Sequence, residues 1–264
     1  MRTALTIAGS DSIAGAGIQA DLKTFAAFGV YGVSAVTAVT AQNTVGVTDI
    51  FALTPETVRA QIDAVSQDVE VAAVKTGMLA TGDIVRTVSE RLGRLQPRHL
   101  VVDPVMAAGA GDARTLLAPE AVSILKTQLL VRATVVTPNL AEALVLSGVH
   151  VDSAGSAREA AKVIAGFGAE AVVIKGGHAT GPQAIDFLLY DGTFMELPAA
   201  RIDVGNVHGT GCTFASAIAA RLALGDAVPA AVERAKHYVT GAIRHSFAIG
   251  RGARILNHFW ERDL

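Results

Sequence analysis

The chain carries a single cysteine, Cys212, in 264 residues. That excludes an intramolecular disulfide and any four-cysteine zinc site, and it fits a reducing, cytoplasmic setting. Aromatic residues are scarce at 5%, and charged residues make up only 17%. The 22 basic and 24 acidic side chains leave a formal net charge of −2. With no basic block and no patch of interleaved aromatics, nothing supports a nucleic-acid partner. No uninterrupted apolar run approaches the roughly 20 residues of a membrane span. Residues 1–8 faintly resemble a secretory start, but Asp11 arrives too soon for the apolar core such a segment needs. The pattern G-x-x-x-x-G-K-[ST] is absent, which argues against a Walker-type ATPase. Without a linker, low-complexity stretch or repeat, one domain over residues 1–264 is expected.

What the chain does have is aliphatic bulk: 51% of it is hydrophobic, with Ala, Val and Gly prominent. Short β-branched runs at 4–8, 33–41, 71–75, 99–102, 134–136 and 171–175 predict strands. Between them, apolar spacing predicts helices at 18–28, 84–92, 119–125, 157–167, 213–224 and 228–245. Thr54-Pro55-Glu56 marks a further helix start, and another begins at Asn139. Asp191-Gly192 between apolar runs at 184–190 and 194–197 predicts a hairpin. Strand–helix alternation implies a mostly parallel sheet covered on both faces. Ligands of such sheets bind beyond the carboxyl ends of the strands. Gln42, Lys75, Asp103, Asn139 and Lys175 all fall there.

One stretch dominates the rest: Val207-His208-Gly209-Thr210-Gly211-Cys212-Thr213, followed at once by an Ala-rich apolar run. A tight glycine turn feeding a helix presents unpaired amides at the positive end of a dipole, which is an anion site suited to phosphate. A cysteine at such a helix start is expected to have a lowered pKa. An ordinary glycine turn with a small packed cysteine fits the motif equally well. Asp103, ahead of Pro104, suits Mg²⁺ or a simple turn. Asn139 and Glu142, three apart at a helix start, suit a hydrated metal, phosphates or a capping box. Lys175 before Gly176-Gly177 suits phosphate or a snorkelling edge position. Lys236 carries little weight alone. Gln42 offers a donor and an acceptor together, suited to a ring nitrogen beside an amino group, or to a cap. Glycine amides, a lysine, carboxylates and a base together describe phosphoryl transfer.

Seven segments then resemble one family nearly end to end. They are Ala8-Gly9-Ser10-Asp11-Ser12 with 15–24, Thr40-Ala41-Gln42-Asn43-Thr44, Lys75-Thr76-Gly77-Met78-Leu79, Asp103-Pro104-Val105-Met106, Thr137-Pro138-Asn139-Leu140-Ala141-Glu142, Lys175-Gly176-Gly177-His178 and His208-Gly209-Thr210-Gly211-Cys212-Thr213. Their order is that of the ribokinase-like superfamily, and within it of the hydroxymethylpyrimidine/phosphomethylpyrimidine kinases of thiamin biosynthesis. The resemblance implies a three-layer α/β/α sandwich around a mostly parallel central sheet. It implies ATP as co-substrate, Mg²⁺, and transfer first to a hydroxymethyl group and then to the resulting phosphate. By motif position, Gln42 and Met78 would contact the pyrimidine, with Gly9 and Asp21 beside them. Cys212 would be the catalytic residue, with the Gly209–Cys212 amides, Gly211 among them, stabilising the phosphoryl group. Lys175, Lys236, Asn139 and Thr210 would contact ATP, and Asp103 and Glu142 would organise Mg²⁺. A homo-oligomer, most simply a dimer, is expected by the same likeness. Ile13-Ala14, Ala107-Ala108-Gly109-Ala110-Gly111 and Gly250-Arg251-Gly252 depart from the family pattern without removing a proposed catalytic group. The competing expectations are a pyridoxal/pyridoxine kinase and a non-catalytic pyrimidine-binding protein on the same fold.

Overall fold

A computed structural model describes residues 1–107, 116–177 and 181–261. Ala108–Gly111 of the altered loop and His178 of the lysine motif lie outside the described residues. In chain order the elements are β1 (Thr3–Asp11), α1 (Gly17–Ala27), β2 (Tyr31–Gln42), β3 (Val47–Ala52), α2 (Pro55–Asp68), β4 (Ala73–Thr76), α3 (Gly82–Leu95) and β5 (Leu100–Val102). There follow α4 (Ala121–Ile124), β6 (Val135–Val136), α5 (Leu140–Ser147), α6 (Ala154–Ala165), β7 (Ala171–Ile174), β8 (Gln183–Tyr190) and β9 (Thr193–Ala200). The last are β10 (Val207–His208), α7 (Thr210–Ala223), α8 (Val228–Arg244) and β11 (Arg254–Ile255).

Nine strands form one sheet in the order β3-β2-β1-β4-β5-β6-β7-β8-β9. From β2 to β7 every pairing is parallel, while β3, β8 and β9 add antiparallel edges. Each central strand sends alternate side chains to opposite faces, as the pleat requires. Leu5, Ile7, Val74, Val102, Val136 and Val172 join α2–α6 in one core. Ala4, Ala73, Val101, Val135 and Ala171 join α1, α7 and α8 in the other. The small residues on the second face let the Ala-rich α7 lie close against the sheet. The result is the three-layer α/β/α architecture expected. Among the described residues, no helix is long and apolar enough to cross a membrane.

Local signals explain most boundaries. Thr54 caps α2 and Pro55 opens it. At the β8–β9 hairpin, Asp191 and Gly192 both have positive φ, 47° and 69°, the conformation a two-residue turn needs. The expected helix at 119–125 is replaced by the short α4, a π turn at Leu125–Leu129 and a 3₁₀ turn at Leu130–Arg132. β3 and the small β10–β11 pair are additions that the periodicity did not suggest. β3 is an edge strand with only Val47 buried and Thr48, Asp49 and Phe51 exposed, so it lacks a hydrophobic run.

Candidate active site

A cleft of about 1130 Å³ opens at the carboxyl ends of the parallel strands. Gly9, Gln42, Met78, Asp103, Asn139, Glu142, Lys175, Lys236 and the whole Gly209–Cys212 turn line it. Of the residues expected to bind the ring, ATP or Mg²⁺ or to act in catalysis, all but one line it, while Lys75, the remaining polar strand-end residue, is buried below.

The exception is Asp21. It is fully buried beneath the cleft, on α1. Lys75 donates to both of its oxygens at 2.9 Å, and Thr6 and Ser216 hydroxyls each donate at 2.6 Å. A carboxylate so saturated has no capacity left for a pyrimidine. The expectation of a substrate contact is corrected: Asp21 is a structural anchor joining β1, α1, β4 and α7.

At the anion turn, Gly209 caps α7 with φ +84° and no side-chain capping bond. A Cβ there would sit 1.7 Å from the Gly15 carbonyl oxygen, so only glycine permits the contact between the two loops. Thr210, Gly211 and Cys212 form the first turn, whose amides lack intrahelical acceptors. A Cβ on Gly211 would fall 3.2 Å from Lys175 Nζ and 3.8 Å from Asp103 Oδ2. The charged cluster thus lies directly against the turn.

Within that cluster, Lys175 donates to Asp103 Oδ1 at 2.8 Å and lies 4.0 Å from Glu142 Oε2. Thr137 Oγ1 donates to the same Asp103 oxygen. Burial would lower the Lys175 pKa, but Asp103 and Glu142 outweigh it and hold the ammonium charged. Burial, with Asp103 adding to it against the pull of Lys175, pushes Glu142 up to about 7. Glu142 also accepts the Asn139 amide while Asn139 Oδ1 accepts the Glu142 amide, at 2.8 and 2.9 Å. This is a complete capping box, so the pair holds α5 in place and lines the cleft at once. On another wall, Lys236 meets Asp186 at 2.9 Å, and Asp186 accepts the Gly176 amide. Asp186 escaped sequence reasoning because it sits inside an apolar strand run; a charge in such a run was the available signal.

Cys212 departs from expectation. Burial pushes its thiol up to about 11, although Lys75 pulls it down and the Gly17 amide hydrogen bonds it; Asp21 and Asp103 push it up. The helix dipole acts on this thiol, but loss of water outweighs it.

At the opposite end, Gly9 and Met78 pack together, a Cβ on Gly9 falling 3.1 Å from the Met78 sulfur. Gln42 reaches into the same wall beside His208 and Thr40. Asp11 accepts amides from Ile13, Gly15 and Ala16 and contacts His208 Nε2 at 2.9 Å. Burial raises its pKa, but His208 and the Ala16 and Ile13 amides more than offset this and hold the carboxylate ionised. Asp11 and His208 are further residues of the site to which the motifs assigned no role.

Comparison with known proteins follows this geometry. A family model described as phosphomethylpyrimidine kinase matches residues 11–257. The hydroxymethylpyrimidine/phosphomethylpyrimidine kinase of Streptomyces coelicolor is 51% identical over 97% of this chain and 94% of its own. The structure of Bacillus subtilis pyridoxal kinase with ADP superposes with a TM-score of 0.91 at 40% identity, covering 98% of this chain and 97% of that one. Phosphomethylpyrimidine kinase from Clostridium difficile gives 0.81 at 40% identity, over 92% of this chain and all of that one. The chain belongs to the phosphomethylpyrimidine kinase family.

Proposed function

We propose that this kinase phosphorylates 4-amino-5-hydroxymethyl-2-methylpyrimidine with ATP, first on the hydroxymethyl oxygen and then on the phosphate so formed, in thiamin biosynthesis. One observation carries the reading. A single cleft holds a ring-sized end (Gly9, Gln42, Met78) and a phosphate end (Lys175, Lys236 and the α7 amides), with Cys212 in the same lining. The kinship with named kinases of this reaction supports it.

On this reading Gln42 pairs with the ring, and Met78 and Gly9 offer it a flat apolar wall. The hydroxyl points toward Cys212, which accepts its proton. Reaching the thiolate from about 11 at neutral pH costs on the order of 5 kcal/mol. Phosphoryl transfer through a loose transition state asks little of a base until late, so the larger share falls to positioning and to the Gly211 and Cys212 amides. Lys175 and Lys236 exchange their carboxylate partners for ATP phosphates, and Asn139 and Thr210 help to hold the nucleotide.

Among the described residues, no three His, Cys, Asp or Glu side chains converge as a metal cage. A two-carboxylate set fits Mg²⁺, which keeps its waters and arrives with nucleotide phosphates. Asp103 and Glu142 would hold it there, and bound Mg²⁺ neutralises charge on the phosphates.

A second reading, pyridoxal kinase, is favoured by the fit to the Bacillus subtilis enzyme. A panel of the aminopyrimidine, its monophosphate and pyridoxal with Mg-ATP, with products identified, decides between them. A kcat/KM for pyridoxal above that for the aminopyrimidine overturns the first reading, and absence of ATP consumption overturns both.

A further inference from the structure

The hydrogen bonds around Gln42 contain two conflicts of proton count. His208 Nε2 lies 2.9 Å from Asp11 Oδ2 and 3.0 Å from the Gln42 amide nitrogen. An ionised carboxylate only accepts, so Nε2 carries a proton and donates it to Asp11. The same atom then has nothing with which to accept a proton from Gln42. Meanwhile Thr40 Oγ1 lies 3.1 Å from both the Ser10 carbonyl and Gln42 Oε1. One hydroxyl proton cannot serve two acceptors.

Turning the Gln42 amide by half a rotation resolves both conflicts. Oε1 then accepts from His208 Nε2–H, shared with Asp11. The amide nitrogen donates to Thr40 Oγ1, whose own proton goes to Ser10. Oxygen and nitrogen of an amide are assigned from such networks rather than seen. The neutral Nε2–H tautomer and the imidazolium require the same orientation.

Asp11 is itself fixed by the three amides of the loop before α1, and His208 sits directly before the anion turn. We propose that the Asp11–His208 pair locks the Gln42 amide in one orientation, making His208 a specificity-determining positioning residue for the ring. The locked amide retains one lone pair on Oε1 and one N–H for the cleft. An exocyclic amino group beside a ring nitrogen presents the complementary donor and acceptor. A 4-oxo ring with a protonated ring nitrogen presents the reverse order and is refused. The proposal rests on the reading that Gln42 pairs with the ring, and the test separates the two.

The test compares kcat/KM for the aminopyrimidine and its 4-oxo analogue. His208→Phe keeps the ring's bulk and removes the donor. It is expected to reduce the preference for the amino form roughly tenfold, mainly through KM for the ring, with KM for ATP in place. His208→Gln, which restores an N–H, recovers most of the preference. Gln42→Ala abolishes it. If Gln42→Ala keeps the preference, the reading of Gln42 fails. If Gln42→Ala loses it and His208→Phe keeps it, the lock fails. Nitrogen-15 shifts of the His208 ring in the unliganded protein give an independent answer: protonated Nε2 is expected, and a bare Nε2 overturns the proposal whatever the variants do.

Discussion

Lys75 and Asp21 face each other at 2.9 Å with neither side chain exposed to water. Two buried charges cost much to desolvate, and their mutual attraction repays this only while both are present. Lys75→Met or Asp21→Asn alone is expected to cost about 3–5 kcal/mol of stability. The double variant Asp21→Asn/Lys75→Met should cost clearly less than the sum. Chemical denaturation of the four proteins measures the coupling, and strict additivity would count against the pair as the anchor of α7.

Glu142 makes stability and metal binding depend on pH. Its folded pKa, about 7, stands above the ordinary 4.5, so the folded protein keeps a proton that the unfolded chain has lost. Stability from this group is therefore full below about 4.5 and falls as pH rises toward about 7. Glu142→Gln preserves the capping geometry and should flatten that slope. The apparent Mg²⁺ requirement should rise as pH falls through 7 in the parent and lose this pH dependence in Glu142→Gln. Superimposable Mg²⁺ titrations at pH 6 and pH 8 in the parent would sink the metal role.

Gln42→Ala should raise KM for the pyrimidine far more than KM for ATP. Lost hydrogen bonds in a buried pocket cost about 1–3 kcal/mol, or some tenfold to a hundredfold in KM. Steady-state kinetics with each substrate varied in turn provide the check, and equal effects on the two would remove Gln42 from the ring end.

Cys212→Ser should bind both substrates nearly as the parent does yet slow the first transfer by about 10²–10⁴-fold. The second transfer uses a phosphate oxygen with no hydroxyl proton to remove, so it should be slowed much less. If the thiol is the base, the first step should also accelerate as pH rises toward about 11. Equal losses in both steps, measured by separate assays of hydroxymethyl and phosphomethyl substrates, would assign Cys212 a positioning role instead.

Much of this was legible in the residues because the informative signals are local. Thr54-Pro55 and Asp191-Gly192 encode their cap and turn within a few positions, and the Val-rich central strands announce burial on both faces. Spacing alone located the strand ends that line the cleft. What stayed hidden depends on tertiary neighbours. Asp21 follows a helix start and reads as polar punctuation; only the approach of Lys75, 54 positions away, and of Ser216, 195 positions away, makes it an anchor. The Cys212 thiol was misjudged because a helix start reveals the dipole but not the loss of water. His208 and Asp11 are 197 positions apart and meet only because two loops touch at Gly209 and Gly15.

The packing of α7 has a consequence for how the protein is made. β1 leaves the ribosome first but lies inside the sheet, with β2 on one side and β4 on the other. One face of β1, β4 and β5 is covered by α7, which begins only at Thr210, whereas β5 ends at Val102. Until then Ala4, Ala73 and Val101 have no apolar neighbour on that side from the end of the chain. The helix proposed to present phosphate-binding amides thus also forms, with α8 after it, the late-made wall of that core. A nascent chain halted before α7 lacks both the cover of that sheet face and the glycine turn that opens the helix.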